Sequence, residues 1–311
     1  MQIYSLSDKE NGPRLTDEIP TGASLVLGFF DGVHRGHAAL IGTAKEFARW
    51  NKLPTVVWTF PSMPKAEHVI MTPDERLSAL AKLGVSHVIF EEFDDIRSLS
   101  PDEFFDDYLV AKLAPAAVFC GFNFRYGKGG AGTADTLAKS AEAHGIHSFA
   151  LSPYEFGGSL LSSSRIRALI SDGAVDEAAM LLTRPYSVTG EVIHGKEIGR
   201  QLGFPTVNLR IPREKITPAF GVYAATVTLD GQKYFGVCNV GIRPTVNSDA
   251  SDVTLETNLL GYSGDAYGRI VTVELDAMLR PEKRFSSRDE LSEQIAHDKE
   301  SARLYYEQKR K

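Results

Sequence analysis

The segment from Gly28 to His37, GFFDGVHRGH, constrains the fold of this chain more than any other. It follows a short apolar run at residues 25–27 and precedes a helix-like stretch at residues 38–50. A strand that turns sharply through glycine-rich sequence into a helix directs unpaired backbone N–H groups and the positive end of the helix at one point. The segment therefore predicts a site for nucleotide phosphates at the end of a strand.

Strand-like and helix-like segments alternate up to residue 183. Helix starts are marked by capping-box spacing between Thr72 and Glu75 and between Ser100 and Glu103, each with a proline at the first helical position. A further helix is predicted at residues 133–144, ended by Gly145. The β-rich apolar runs lie at residues 25–27, 55–60, 87–90 and 117–120. This alternation predicts a Rossmann-like α/β domain over residues 1–183, with a parallel sheet that binds ligands at the carboxyl ends of its strands.

The pattern changes near Arg184 and Pro185. Helical periodicity disappears, and short β-prone runs alternate with Gly, Pro and Asn. The runs lie at residues 186–192, 221–229, 234–240, 253–258 and 270–275. They predict a small antiparallel β-barrel or sandwich. Capping-box spacing between Ser287 and Glu290 predicts a terminal helix, so the second domain is placed at residues 184–311.

Composition excludes several classes of protein. The 311 residues suffice for two domains, and no apolar stretch approaches the roughly 20 residues of a transmembrane helix. The N-terminus lacks the pattern of a secretory signal, and Cys120 and Cys238 are too far apart for a disulfide framework or a zinc site. With a net charge of -6 and no basic block beyond residues 309–311, neither nucleic acid nor a membrane is expected as a partner. A cytoplasmic protein is expected.

The sequence HRGH at the end of the turn places His34 and His37 three positions apart at a helix start. Donors in this position can bind the phosphates of ATP and stabilise charge that develops on the α-phosphate and on pyrophosphate. Gly32 and Gly36 let the backbone approach closely. The alternative is a pair of surface histidines in a turn, but the preceding strand and the following helix favour the phosphate site.

Two further segments of the first half give weaker signals on their own. Residues 162–167, SSSRIR, begin a helix with hydroxyl groups and two cations that suit a polyphosphate. The alternative is an N-cap followed by exposed arginines. Residues 121–127, GFNFRYG, follow the strand that ends at Cys120, and their aromatic rings beside Asn123 suit a flat ring and a ribose. Such aromatic residues are more often simply core.

The second half carries one glycine-rich segment, residues 190–208, GEVIHGKEIGRQLGFPTVN. Gly195, Gly199 and Gly203 indicate a mobile loop whose backbone can wrap phosphates. Thr206 and Asn208 offer oxygen ligands that face one side if the chain is extended there, and magnesium prefers such hard oxygens. The alternative is a barrel-entry loop rich in turn residues.

Taken together, the three segments of the first half resemble the adenylyltransferase domain of bacterial bifunctional riboflavin kinase/FMN adenylyltransferase (FAD synthetase). From residue 186 to the terminal helix the sequence is similar to a riboflavin kinase domain. Landmarks of that similarity are His194-Gly195, the Pro-Thr-x-Asn motif at residues 205–208, and Glu256. The resemblance covers nearly the whole chain and implies a nucleotidyltransferase fold followed by a riboflavin-kinase-like barrel.

The resemblance implies a bifunctional enzyme. Riboflavin and ATP would give FMN, and FMN and ATP would then give FAD and pyrophosphate, with Mg²⁺ as the metal. The implied catalytic residues are Glu256, as the base that accepts the proton of the riboflavin 5′-hydroxyl, with His34, His37 and Arg167. Nucleotide contacts are implied for Gly28, Phe29, Asp31, Gly32, His34, Gly36, His37, Ser163, Ser164, Arg165, Gly195, Gly199 and Gly203. Flavin contacts are implied for Phe60, Pro64, Asn123 and Arg243, and metal contacts for Thr206 and Asn208.

The chain departs from the family pattern at a few positions. Ser62 stands where the family usually has Pro, Ser164 where it usually has Thr, and the stretch after Pro64 is short. Asn258 and Gly261 stand where many members have His and Asp. Two alternatives remain: a riboflavin kinase whose first domain makes little FAD, and a non-catalytic flavin-sensing protein. A homo-oligomer is compatible with the sequence.

Overall fold

The computed structural model of the protein describes residues 1–5, 19–62, 68–194, 206–243 and 252–309. The chain forms two compact units, Met1–Ser163 and Ser164–Lys311. The contacts thus group residues 164–182 with the second unit, and the boundary after residue 183 stays a prediction. No helix in the described part of the chain is long and apolar enough to cross a bilayer.

Strands and helices alternate along the first unit, as the sequence predicts. The strands are β1 (Gln2–Ser5), β2 (Ser24–Leu27), β3 (Thr55–Thr59), β4 (His87–Phe90), β5 (Ala117–Gly121), β6 (Arg125–Tyr126), β7 (Gly132–Thr133), β8 (His147–Leu151), β9 (Glu155–Phe156) and β10 (Ser159–Leu160). The helices are α1 (Arg35–Asn51), α2 (Pro73–Lys82), α3 (Phe93–Ile96), α4 (Pro101–Glu103) and α5 (Ala134–Ala143), with a π-helix at Phe104–Leu113 and a 3₁₀ turn at Lys128–Gly130.

Six strands of the first unit form one sheet in the order β1-β4-β3-β2-β5-β8. Every neighbouring pair is parallel. The chain moves from β2 to β3 and β4 on one side and then crosses to β5 on the other side. A crevice therefore opens between the carboxyl ends of β2 and β5, the position where such sheets bind ligands. All residues of β2 and β3 are buried, as expected for central strands covered on both faces. The predicted Rossmann-like α/β fold is confirmed.

The predicted helix starts are confirmed by their side-chain bonds. The Thr72 hydroxyl accepts a hydrogen bond from the Glu75 N–H (3.3 Å), and the Glu75 carboxylate accepts one from the Thr72 N–H (3.0 Å). Ser100 and Glu103 repeat the arrangement. The short α4 continues directly into the π-helix, which the sequence pattern does not predict. The two capping boxes fix where α2 and α4 begin relative to the ends of β3 and β4.

Among the residues that the structure describes, the second unit contains three helices and a curled antiparallel sheet. The helices are α6 (Ser163–Ser171, which begins at the last residue of the first unit), α7 (Val175–Leu182) and α8 (Arg288–Lys309). The strands are β11 (Tyr186–Glu191), β12 (Thr206–Arg210), β13 (Gly221–Leu229), β14 (Gln232–Arg243), β15 (Asp252–Leu259) and β16 (Ile270–Pro281), in the order β11-β16-β13-β14-β15-β12. The Ile193 N–H donates to the Asn208 carbonyl at 2.9 Å and bridges the two ends of this order. The predicted small antiparallel barrel is confirmed.

Polar contacts anchor the terminal helix α8 to the barrel. Arg280 on β16 donates two hydrogen bonds to the Asp298 carboxylate, at 2.9 and 2.8 Å. At the start of α8, Ser287 caps the Glu290 N–H at 3.1 Å, as predicted. The Glu290 carboxylate, however, accepts from the N–H and hydroxyl of Ser286 and not from Ser287, so the predicted reciprocal box is shifted by one residue. These bonds lower the pKa of Glu290 to about 2.

Asp298→Ala is expected to destabilise the second unit. The Asp298 side chain is 5% exposed and that of Arg280 is 20% exposed, so the substitution leaves a partly buried guanidinium without its partner. Loss of one member of such a pair costs about 3 kcal/mol. Denaturant unfolding of the variant should show a loss of that size. Asp289→Ala, at an exposed position in the first turn of the same helix, serves as control and should cost less than about 1 kcal/mol. Equal losses would contradict the anchoring role.

Candidate active sites

The glycine-rich turn leaves the sheet at the end of β2, at the predicted crevice. Its backbone is left-handed at Phe30 (φ 57°), Gly32 (φ 82°) and Val33 (φ 40°). Phe30 and the β-branched Val33 adopt this conformation at a steric cost, which persists only where the surrounding structure holds it in place. Both side chains are buried. The core therefore holds the turn in one strained shape, which fixes the direction of α1.

The two histidines of the turn lie face to face at the N-terminus of α1. Their rings stack with centroids 3.6 Å apart and planes 13° apart. His34 is the N-cap, and its Nδ1 accepts a hydrogen bond from the His37 N–H at 3.3 Å. A neutral His34 therefore carries its proton on Nε2. A Cβ at Gly36 would lie 3.2 Å from the His34 ring, which is closer than an ordinary contact, so the absence of a side chain at Gly36 leaves room for this ring. The structure brings both predicted histidines together at the positive end of a helix.

The Ser163 side chain ties the start of α6 to the same turn. Its hydroxyl donates to the Asp31 carbonyl at 2.8 Å, although 132 residues separate the two in sequence. Ser164, Arg165 and Arg167 occupy the first turns of α6, where the Arg167 guanidinium donates to the Ser164 hydroxyl at 3.2 Å. The helix start predicted from SSSRIR is thus present, with its first residue at the glycine-rich turn.

Asp31 contacts the chain itself through its carboxylate. The buried Oδ1 accepts hydrogen bonds from the N–H groups of Ile70 (2.8 Å) and Met71 (3.2 Å). These bonds hold the segment before α2 against the turn. A contact between Asp31 and a nucleotide stays a prediction, and an ionised carboxylate offers no donor to a phosphate.

Arg76 on α2 contacts the candidate site, and the sequence does not predict its position there. Its side chain is 1% exposed, and it donates to the carbonyls of Phe29 (3.0 Å), Phe60 and Pro61 (3.3 Å). The guanidinium thereby joins the chain ends that follow β2 and β3. Burial lowers its pKa to about 10, and Asp31 opposes that fall, so Arg76 stays charged at neutral pH. In sequence it stands between Glu75 and Leu77 like an ordinary surface charge, and no local signal marks it.

An open cleft of about 970 Å³ lies at the carboxyl ends of β3 and β5. Its wall contains the cationic residues Arg97, Arg125 and Lys128 and six aromatic residues, which are Trp58, Phe60, Phe93, Phe104, Phe124 and Tyr126. Phe60 meets Trp58 edge to face at 4.7 Å and Phe93 at 5.5 Å. Asn123 is exposed in the turn after β5, which the Phe124 N–H closes by donating to the Gly121 carbonyl. The cleft suits a flat aromatic ligand. Of the predicted flavin residues, Phe60 lines it, Asn123 precedes its rim, and Pro64 lies outside the described residues.

In the second unit, the predicted metal ligands and the predicted base share one face of the barrel. Thr206 and Asn208 are two apart on β12 and face the same side. Asn208 lies directly opposite Glu256 on β15, and Thr206 lies opposite Asn258. Residues opposed in this way have Cβ atoms roughly 5 Å apart. Asn239 on β14 flanks Glu256 from the other side, and the sequence analysis missed it. Glu256 is exposed and Asn208 is buried, so the predicted base is accessible to solvent and lies beside a buried residue with an amide side chain.

Two contacts hold the residues that precede the glycine-rich sequence segment of this unit. His194 stacks on Tyr267 with centroids 3.9 Å apart, and the Gly268 N–H donates to the Val192 carbonyl at 3.0 Å. The predicted phosphate-loop residues Gly195, Gly199 and Gly203 lie outside the described residues, as does the Arg243 side chain. The donor set of Thr206 and Asn208 consists of neutral hard oxygens. It fits a magnesium ion that takes its negative ligands from nucleotide phosphates.

Comparison with known proteins assigns both units. Residues 16–165 match the FAD synthetase family and residues 182–306 match the riboflavin kinase family. The chain is 35% identical over 297 residues to the bifunctional riboflavin kinase/FMN adenylyltransferase of Bacillus subtilis, covering 92% of this chain and 93% of that protein. This chain belongs to the bifunctional riboflavin kinase/FMN adenylyltransferase family. The Escherichia coli member is 37% identical over 294 residues, with the same coverage of both chains.

One solved structure supports the fold of the whole chain. A crystal structure named as a macrolide-efflux protein from Streptococcus pneumoniae matches with a TM-score of 0.85 and 32% identity. The match covers 97% of this chain and 99% of that one. The name of that protein differs from the names of the bifunctional relatives. The likeness shows that its chain has the same fold as both units of this one.

Proposed function

We propose that this chain phosphorylates riboflavin to FMN in its second unit and adenylylates FMN to FAD in its first. The observation that carries the proposal is that each unit matches its own enzyme family, and it is supported by the juxtaposition of His34 with His37 and of Asn208 with Glu256. The product of the second unit, FMN, is the flavin substrate of the first unit, so the two assignments support each other. We further propose that the protein works in the cytoplasm, as its composition suggests.

In the first unit, a phosphate oxygen of FMN would attack the α-phosphorus of ATP. The bond between the α-phosphorus and the β-phosphate oxygen breaks, and pyrophosphate leaves. The FMN phosphate is already ionised at neutral pH, so no base is needed to activate it. Negative charge grows on the leaving group, and the N–H groups of the first turn of α1 with the rings of His34 and His37 are placed to stabilise it. Ser163, Arg165 and Arg167 at the start of α6 are proposed to bind the phosphates.

The aromatic cleft is the proposed position of the FMN ring. The cleft and the histidine turn both follow neighbouring strands at one edge of the sheet. Aromatic rings that meet edge to face leave flat surfaces for stacking a heteroaromatic ring. Phe60 is proposed to contact this ring, and Asn123, exposed beside the cleft, to hydrogen-bond to the ligand.

In the second unit, Glu256 would accept the proton of the riboflavin 5′-hydroxyl while that oxygen bonds to the γ-phosphorus of ATP. The bond to the β-phosphate oxygen breaks, and ADP leaves. A primary alcohol is a poor nucleophile, so a placed carboxylate contributes directly to the rate. Thr206 and Asn208 would hold a magnesium ion, which neutralises phosphate charge when bound. Asn208 is fixed through its backbone by Ile193, so the amide and the carboxylate opposite keep their register.

One incubation tests the proposal against both alternatives. Purified protein is mixed with riboflavin, ATP and Mg²⁺, and the flavins are separated chromatographically over time. We expect FMN to appear first and FAD to follow. FMN without FAD would select the kinase-only alternative. Unchanged riboflavin together with measurable flavin binding would select the non-catalytic alternative and refute the proposed function.

A further inference from the structure

A chain of three buried polar side chains begins at Trp58 in the wall of the aromatic cleft and continues behind that wall. Trp58 at the end of β3, Tyr108 on the π-helix and Glu91 just after β4 are 1%, 3% and 2% exposed. The Trp58 indole N–H donates to the Tyr108 hydroxyl at 2.9 Å, and the Tyr108 hydroxyl donates to the Glu91 carboxylate. None of the three was singled out by the sequence, and none belongs to the chemistry proposed above.

Chemistry gives this chain a single direction. An indole nitrogen only donates, so the Tyr108 oxygen must accept from Trp58. A phenol has one proton, which therefore goes to Glu91. Glu91 is held in turn by its own backbone, because its N–H donates to the Thr59 carbonyl at 2.9 Å. Each hydrogen bond of the chain thus has a fixed donor and a fixed acceptor, and the indole plane is tied to the ends of β3 and β4.

The cost of this arrangement indicates a use beyond stability. Burial raises the pKa of Glu91, and the hydrogen bond from Tyr108 opposes that rise. Burial also raises the pKa of Tyr108 far above its usual range. Apolar side chains of similar size would fill the same space without this penalty. What a satisfied buried polar chain adds is a unique orientation of the groups it connects.

The group that gains an orientation is part of the cleft wall. Trp58 lines the cleft, and Phe60 packs edge to face on it at 4.7 Å with an interplanar angle of 71°. Phe104, also in the wall, meets Trp58 at 5.8 Å and stacks on Tyr108 at 5.6 Å. Rotation of the indole would move the surface on which Phe60 and Phe104 rest. The orientation of Phe60 and Phe104 in the wall therefore depends on the orientation of the Trp58 ring.

We propose that Tyr108 is a positioning residue for flavin binding in the first unit: held by Glu91, its hydroxyl fixes the Trp58 indole and through it the Phe60 face of the cleft. The inference rests on the proposed function, since it takes the cleft as the FMN site. Tyr108 acts on FMN affinity and leaves ATP binding and the chemical step to other residues.

The test compares hydroxyl and carboxylate variants in the full-length protein. Tyr108→Phe should raise the KM for FMN about fivefold, the change that one hydrogen bond typically controls, with kcat and the KM for ATP within twofold of wild type. Riboflavin phosphorylation should be unchanged. Trp58→Phe removes the donor and should give the same rise, and the double variant should add nothing further. Tyr4→Phe removes the hydroxyl of another buried tyrosine of the same unit, one that does not line the cleft; it is the matched control and should leave all constants unchanged.

Two substitutions of Glu91 distinguish a positioning role from a merely structural one, because only one of them keeps the acceptor for the Tyr108 hydroxyl. Glu91→Gln keeps an oxygen that accepts from Tyr108 and should stay within twofold of wild type, whereas Glu91→Leu should reproduce the rise in KM for FMN. An unchanged KM in Tyr108→Phe, or equal damage from both Glu91 variants, would overturn the inference. If Tyr108→Phe does not fold, as judged by thermal unfolding, the comparison of Glu91→Gln with Glu91→Leu decides the question, because Glu91 contacts Tyr108 and does not line the cleft.

A binding measurement separates this inference from the proposed function. FMN binding is followed without ATP by quenching of flavin fluorescence, and it should weaken about fivefold in Tyr108→Phe. A wild-type chain that makes no FAD yet binds FMN in this Tyr108-dependent way would refute the adenylylation and leave the positioning role standing. Normal FAD synthesis together with FMN binding that does not depend on Tyr108 would support the adenylylation and refute the positioning role.

Discussion

Glu256→Gln is expected to abolish the conversion of riboflavin to FMN while FMN supplied to the same protein is still converted to FAD. The amide keeps the size and shape of the carboxylate but cannot accept the proton of the 5′-hydroxyl. General-base catalysis contributes roughly 10²- to 10⁴-fold, so kcat for phosphorylation should fall by about that factor. The KM for riboflavin should change little, because Asn208, Asn239 and the strand register around position 256 remain. Initial rates with each flavin measured separately give the result.

Glu274→Gln is the matched control for this variant. Glu274 lies on β16 of the same barrel, where its carboxylate pairs with the exposed Lys233 at 3.2 Å. It should keep both activities. A Glu256→Gln protein that phosphorylates riboflavin normally would remove Glu256 from the mechanism. Loss of both activities would show that the two sites are not separable.

The parallel sheet could be predicted because its central strands carry their own signal. β2 and β3 are buried along their whole length, so they read as continuous apolar runs bounded by glycine or proline. The starts of α2 and α4 could be predicted for a similar reason, since a capping box is satisfied by residues three apart. Elements that are stabilised by contacts within one helical turn, or marked by the burial of one strand, can therefore be predicted from the sequence.

Elements whose stability comes from distant partners were missed. β8 is an edge strand with mostly exposed residues, so no apolar pattern marks it, and only its pairing with β5 makes it a strand. The π-helix has buried residues at four-residue intervals, so a helix after Ser100 can be predicted, but its π-type hydrogen bonding cannot. Arg76 is buried only because the ends of β2 and β3 place their carbonyls around it. Tertiary context determines all three.

The candidate sites show the same division. The spacing of Thr206 and Asn208 predicts that both face one side, but nothing in the sequence places Glu256 opposite Asn208. That juxtaposition depends on the register between β12 and β15, which lie far apart in sequence. Only the resemblance to a known family supplied Glu256 in advance. The Trp58–Tyr108–Glu91 chain joins three elements, none with a motif of its own, and no sequence signal marked it.

His37→Ala is expected to suppress FAD formation and to leave riboflavin phosphorylation unchanged. The substitution removes one of two stacked imidazoles at the N-terminus of α1, but it keeps the backbone N–H that donates to His34. Removal of one group that stabilises charge in the transition state costs roughly 10²- to 10³-fold, and kcat for adenylylation should fall by that factor. His144→Ala, at an exposed helix end of the same unit, should leave FAD formation normal.

The stacked pair leads to a sharper expectation for the double variant. With ring centroids 3.6 Å apart, each imidazole fixes the plane of the other, so the two should act on the leaving pyrophosphate as one unit. Residues that act as a unit show strongly non-additive losses. His34→Ala combined with His37→Ala should therefore lose little more activity than either single variant. If the loss of activity in the double variant equals the product of the two single losses, the two rings act independently. A normal FAD yield from His37→Ala would exclude this residue from the mechanism.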